Sequence, residues 1–245
     1  MKISLICPSR GRPQKAIRLL ENLFEKSTNP EDIEFVFVFD DDDYENIQKI
    51  ITSETYQKYS TNIKVVVTKK GDFIFSQLYN IGFDVTSNPI VGLVADDVVP
   101  RTDNWDEIVK NKFEEFPDHI FLLATDDRND SPFATHFFTS RRAVEIMGFI
   151  QPPFFVADFG DKWVTDVFRA IGRYRKTTEV VFEHMHYMRG KSPKDNTYEE
   201  ASARRESLIC SNPNDARHPW SVYAEKRKNN IIDLQKFIDT YASDK

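Results

Sequence analysis

Adjacent carboxylates repel one another, so a chain that gathers them at the end of an apolar run needs a cation or hydrogen-bond donors to use the charge. The sequence does this twice. Asp40 to Asp43 follow the run Phe35 to Phe39, and Asp96 and Asp97 close the run Val91-Gly92-Leu93-Val94-Ala95. An apolar strand ending in this way can hold a hard divalent ion such as Mg2+ or Mn2+, which prefers oxygen ligands and binds phosphate oxygens at the same time. The competing use is structural: an Asp-rich turn, or carboxylates that cap a helix N-terminus and complement its dipole. Part of Asp40 to Asp43 is expected to cap.

His184 and His186 flank Met185 beyond the apolar run Val180 to Phe182. If that strand continues, side chains two apart share a face and both imidazoles can reach one ion. Histidines more often serve structure, but a His-x-His pair beside Glu183, in a chain with five histidines, makes a candidate metal centre with Asp97. Anion chemistry has its own segment. Pro8-Ser9-Arg10-Gly11-Arg12-Pro13 places two guanidinium groups and a hydroxyl between a strand end and a helix N-terminus, where free N–H groups favour anions. This suits a nucleotide diphosphate, and equally an ordinary capped turn with solvated arginines. For proton transfer, Asp158, Asp161 and Asp166 surround Trp163 near the start of a predicted helix. One of them can be a general base if burial raises its pKa, while helix capping accounts for one or two equally well.

These residues need elements to position them. Ile3 to Cys7, Phe35 to Phe39, Ile63 to Val67 and Ile90 to Val94 are apolar without polar alternation, as expected of strands covered on both faces of a parallel sheet. Between them the spacing predicts helices: one after Pro13 with Ala16, Ile17, Leu20, Leu23 and Phe24 on a face, one over Tyr44 to Ile51, and one over Ser76 to Phe83. Alternating strands and helices imply a doubly wound α/β sheet whose ligand sits at the carboxyl ends of the strands. The polar signals fall there: Pro8 to Arg12, Asp40 to Asp43, Lys69 and Lys70, and Asp96 and Asp97. Ile120 to Ala124 and Val180 to Phe182 read as further strands and Trp163 to Ile171 as a helix. A last helix, Ile231 to Tyr241, is expected to pack on the main body as an appendage.

Composition sets bounds on what the chain can be. With 245 residues, 40% apolar content, 20 Phe and 9 Tyr, it can bury a substantial core. A net charge of −6 argues against nonspecific nucleic-acid binding, since any phosphate contact must then be a local basic patch. Two cysteines, Cys7 and Cys210, do not make a disulfide framework, and no stretch approaches a membrane helix, so a cytoplasmic, reducing location without a transmembrane segment is expected.

Taken in order from Lys2 to Tyr187, these pieces resemble the GT-A glycosyltransferases, especially the inverting family 2 type. Ile3 to Ser9 is similar to that family's first strand and nucleotide-contacting turn, and Glu34 to Asp40 to the second strand, whose aspartate contacts the base. Tyr79-Asn80-Ile81-Gly82 is similar to the Asn-x-Gly of the following helix, and Ala95-Asp96-Asp97 stands where the Asp-x-Asp motif would be, with Ala95 replacing its first carboxylate. Asp161, eleven residues before Gly172, resembles the family's catalytic Glu-Asp, with Gly160 in place of the Glu. His184 or His186 resembles the late histidine that completes the metal site.

The resemblance implies a GT-A (Rossmann-like) doubly wound mixed sheet with helices on both faces, residues 1–190 as the glycosyltransferase domain, and residues 191–245 as a C-terminal helical extension packed on it. It implies a hexosyltransferase-type enzyme with a UDP-linked sugar donor, an unknown glycan or other hydroxyl acceptor, and Mn2+ or Mg2+. Pro8, Ser9, Arg10, Arg12, Asp40, Asp42, Lys70, Asn80 and Asp96 would contact the nucleotide sugar; Asp97, His184 and His186 would hold the metal; Asp161 would be the base. Clustered aspartates and His-x-His would also serve a nucleotidyltransferase or a metal-dependent phosphohydrolase, and Ala95 and Gly160 would suit a noncatalytic binder on a decayed enzyme fold.

Overall fold

The structure, a computed structural model, describes residues 1–71, 76–155, 158–207 and 218–244. Strand β1 (Ile3–Pro8) is buried along its whole length, as a strand covered on both faces must be. Pro13 opens α1 (Pro13–Glu25), where a missing N–H costs nothing, and the buried Ala16, Leu19, Leu20, Leu23 and Phe24 set one face of the helix inward. The pattern continues through β2 (Ile33–Asp40), α2 (Tyr44–Ile51), the short α3 (Glu54–Lys58), β3 (Ile63–Thr68), α4 (Ser76–Val85) and β4 (Ile90–Leu93). These strands are mutually parallel in the order β3-β2-β1-β4, so their carboxyl ends share one edge.

Past β4 the alternation breaks. The remaining described elements are β5 (Val98–Pro100), α5 (Trp105–Glu114), β6 (Leu122–Asp126), β7 (Phe137–Ser140), α6 (Arg141–Met147), α7 (Gly160–Ala170), β8 (Tyr174–His184), α8 (Asn196–Ser207), α9 (Pro219–Val222) and α10 (Ala224–Ser243). β7 runs antiparallel to β4 and β6, β6 parallel to β8, and β8 antiparallel to β5. The sheet is therefore mixed, in the order β3-β2-β1-β4-β7-β6-β8-β5, as the resemblance implies. β5 and β7 do not show in the sequence, because three and four residues are too few for a period to register.

Alternate residues of β1 point to opposite faces: Ile3, Leu5 and Cys7 join α1 and α5 in one apolar cluster, and Ile6 joins α6, α7 and α10 in the other. Helices thus cover both faces. A Cβ on Gly82 would lie 2.3 Å from Ile6 Cγ2, so α4 approaches β1 this closely only because residue 82 has no side chain. The C-terminal helix belongs to the same interior. Leu234 and Ile238 are buried with Val164, Val167 and Phe168 of α7, and the Asn230 amide accepts from Trp163 Nε1 at 3.3 Å and donates to the Met147 carbonyl at 3.1 Å. Among the described residues no helix is long and apolar enough to cross a membrane. Cys7 is a buried free thiol, and Cys210 lies outside the described residues.

Candidate active site

The end of β4 delivers Asp96 and Asp97 into the interior, 3% and 1% exposed. Buried carboxylates need partners, and β1 with its following turn supplies them. Ser9 Oγ donates to Asp96 at 2.9 Å and Arg12 Nη1 donates to Asp96 at 3.0 Å, with Asp97 3.7 Å from the same nitrogen. The neighbours part the two acids. Burial pushes Asp96 up to about 6 against the pull of Arg12. Burial also acts on Asp97, but His184, Tyr198 and Arg12 outweigh it and hold this carboxyl well below the ordinary range. Asp97 is thus the permanently ionised member.

β8 ends at His184, and because β5 pairs Val98 with His184, the imidazole is brought back to the end of β4. His184 Nε2 lies 3.2 Å from Asp97 Oδ1, an oxygen that is buried and accepts no hydrogen bond. A buried carboxylate oxygen left open beside an imidazole nitrogen fits a divalent cation. Among the described residues no three His, Cys, Asp or Glu side chains converge to hold an ion unaided, so a cation there would draw its other ligands from water or substrate oxygens. The expected continuation of the strand to His186 does not occur. His186 sits beyond the strand end, its ring centroid 5.0 Å from that of His184, and its Nδ1 accepts from the Met188 N–H at 3.2 Å. Behind His184 stands His136, which sequence reasoning missed; burial, then the neighbouring imidazole, pushes its pKa down to about 3. Its signal was hidden because it precedes the four-residue β7.

Asp161 occupies the first turn of α7, half-buried, and its Oδ1 accepts from the Lys162 N–H at 2.7 Å. Burial outweighs that hydrogen bond and raises its pKa above the usual aspartate value. Of its two competitors, Asp158 also reaches the cavity, whereas Asp166 pairs with Lys162 at 2.6 Å one turn along the helix. A Cβ on Gly160 would lie 2.1 Å from Gln151 Oε1, so Gln151 fills the space a glutamate there would need. The preceding Phe159 has φ +72°, a strained conformation for a bulky residue held beside the candidate base.

The aspartate run fastens loops together. Asp41 accepts from the Lys70 N–H at 3.1 Å, and Asp43 from the Gly11 N–H at 2.9 Å. The expected helix capping is not seen: Asp43 is the N-cap of α2 but makes no side-chain cap hydrogen bond. Arg10 reaches Asp40 at 3.3 Å and grips Asp42, which Lys70 also holds at 2.9 Å; Arg10 above all depresses the Asp42 pKa. Asn80 is not brought to this place. Its amide joins α4 to the 150–151 segment, donating to the Gln151 carbonyl at 2.7 Å and accepting from the Ile150 N–H at 2.9 Å.

One cavity of about 1060 Å³ unites these parts: Pro8, Ser9, Arg10, Arg12 and Asp40 at one end, Asp96, Asp97, His184 and His186 in the middle, and Asp161 beyond. Asp42, Lys70 and Asn80 are outside its lining. Asp127, Asn129, His136 and Tyr198 also line it; the first three escape sequence reasoning because each is a lone polar residue in a short or irregular segment.

The sequence profile described as glycosyl transferase family 2 matches residues 4–188. Among solved structures, TarS 1-349 from S. aureus in complex with UDP-GlcNAc is similar with a TM-score of 0.59 at 13% identity, over 100% of this chain and 93% of that one. The mannosyltransferase PcManGT from Pyrobaculum calidifontis, in complex with GDP-Man and Mn2+, is similar with a TM-score of 0.57 at 13% identity, over 97% and 87%. At such identities the likeness is one of fold. No curated protein matches the chain in sequence.

Proposed function

The chain belongs to glycosyl transferase family 2, and from that premise we propose that this glycosyltransferase moves a sugar from a nucleoside diphosphate sugar, UDP-linked, to a hydroxyl acceptor with inversion at the anomeric carbon. The observation that carries the reading is the meeting, in one cavity, of a basic turn, a buried acid pair with a histidine, and a half-buried aspartate with raised pKa. Residues 1–190 form the transferase domain in this reading, and 191–245 an extension packed on it. Family membership and the layout favour glycosyl transfer over nucleotidyl transfer or phosphate hydrolysis.

Pro8, Ser9 and Asp40 lie at the end that would receive the nucleoside. Arg10 and Arg12 would face the diphosphate, with Asp42 and Lys70 steering Arg10 from the rim and Asp96 fixing Ser9 and Arg12. Asp97 and His184 would hold Mn2+ or Mg2+, His186 standing next in line. When bound, the cation neutralises charge that develops on the departing diphosphate. Asp161, its pKa raised by burial, would take the proton of the acceptor hydroxyl as that oxygen attacks the anomeric carbon from the face opposite the diphosphate. Asn80 supports the site from behind by holding Gln151.

A product assay with a panel of UDP- and GDP-sugars tests the reading. Nucleoside diphosphate appearing with a glycosylated acceptor is the expected outcome; release of pyrophosphate or of inorganic phosphate instead would sink it.

A further inference from the structure

The cations assigned to the diphosphate already have partners, and three of those partners come from a single stretch at the start of α8. Asp195 binds Arg12 in bidentate fashion, Oδ2 accepting from Nε at 2.9 Å and Oδ1 from Nη2 at 2.7 Å, and also accepts from Lys15 at 2.7 Å. Tyr198 lies beneath the Arg12 guanidinium, 4.1 Å from its ring centroid, and its hydroxyl donates to Asp97. Glu200 accepts from Arg10 Nε at 3.0 Å and stands 3.8 Å from Lys70 Nζ. Thr197 fixes the stretch to the same turn by donating to the Arg10 carbonyl at 2.7 Å.

A carboxylate that grips a guanidinium with two oxygens uses the geometry that a phosphate would use, and a phenol hydroxyl on Asp97 takes up carboxylate capacity that a cation would draw on. We propose that the segment from Asp195 to Glu200 is an internal occupant of the metal and diphosphate positions, a latch that a nucleoside diphosphate with its divalent cation must displace. The proposal rests on the reading of the site given above.

The strengths of the contacts suit a latch that opens. Glu200 is 45% exposed and Arg10 is 22% exposed, and an ion pair so open to water contributes little. The Tyr198 hydrogen bond and the Asp195 pair are more sheltered and carry most of the closure. A diphosphate brings more charge than Asp195 and Glu200 together and is joined by its cation, so exchange favours the ligand. A site that is competent only when the latch is open binds its ligand more weakly by the open fraction.

Titration of the full-length protein, Tyr198→Phe and Glu200→Gln with UDP in the presence of Mn2+ tests this. Tyr198→Phe should bind UDP about three- to tenfold more tightly than the unaltered chain, by the open-fraction relation, Glu200→Gln should gain less, about two- to threefold, because its ion pair is exposed, and amide hydrogen exchange along α8 should accelerate when UDP and Mn2+ are added. Both variants lie at the cavity surface, and Glu200→Gln removes no buried contact, so loss of folding in one leaves the other to decide. Weaker or unchanged UDP affinity in both variants would overturn the latch and make α8 a support for the ligand. Inorganic pyrophosphate with Mn2+ separates the two readings. If UDP neither binds nor changes exchange while pyrophosphate with Mn2+ accelerates exchange in α8, the affinity comparison passes to pyrophosphate, the latch stands and the nucleotide assignment falls; if neither probe changes exchange in α8, the latch falls.

Discussion

At the scale of single residues, the account turns on two aspartates that the fold treats in opposite ways. Asp97 is kept ionised by an imidazole, a phenol and a guanidinium, whereas Asp161 has its pKa raised by burial. A base must be ionised to act, so transfer should rise with pH through a midpoint above the ordinary aspartate value of about 3.9, and this acid limb should vanish in Asp161→Asn. That variant should lose roughly 10²- to 10⁴-fold in kcat, the range of a general base, while its affinity for UDP stays within error. Equal turnover would remove Asp161 from the mechanism. The stability effect has a definite sign. A carboxyl whose folded pKa lies above its unfolded value favours the fold while protonated and loses that contribution as pH rises through the folded pKa. Asp161→Asn should therefore melt at a higher temperature than the unaltered chain at pH 7, with the difference fading in acid. Asp97 and His184 were legible in sequence because each closes an apolar run. His136, Asp127 and Asn129 were not, since nothing in their local pattern distinguishes a polar residue that faces a cavity from one that faces water.

At the scale of elements, close approach decides what holds the site in place. β1 carries Ser9 to Asp96 through its parallel pairing with β4, and α4 packs against β1 so closely that a Cβ on Gly82 would lie 2.3 Å from Ile6 Cγ2, leaving no room for a side chain. Gly82→Val should cost about 1–3 kcal/mol, the usual range for overpacking, measured by urea unfolding with an unchanged m-value. On the other side Leu234 of α10 is fully buried against α7, so Leu234→Ala should cost about 2–5 kcal/mol, and a cost near zero would mean that α10 is not needed to complete the core. Strands β1 to β4 and helices α1, α2 and α4 could be read from sequence because continuous apolar runs and helical spacing coincide in them. β5, β7 and α6 could not, being short, with β7 running directly into α6. The first residues of β8 were missed because its burial alternates irregularly before Val180, and α8 because its sequence has little amphipathic signal against a polar background.

For the molecule as a whole, charge is paired rather than separated where the parallel strands end. The net charge is −6, and Arg10, Arg12, Lys15 and Lys70 gather at that edge against Asp40, Asp42, Asp96, Asp97, Asp195 and Glu200, so any phosphate contact is a local one inside a repelling field. Doubly wound sheets bind ligands at this edge, which is why the order of motifs along the chain predicted their meeting better than any one motif did. The central claim is that Asp97 and His184 share a cation with the diphosphate of a nucleotide. Binding of UDP and of Mn2+ must then be reciprocal. Calorimetric titration of UDP with and without Mn2+, on the unaltered chain and on His184→Ala, measures this directly. The account predicts at least about tenfold tighter UDP binding with Mn2+ in the unaltered chain, within the usual span of coupling energies, and a gain reduced to about twofold or less in His184→Ala; UDP affinity indifferent to Mn2+ in both proteins would contradict it.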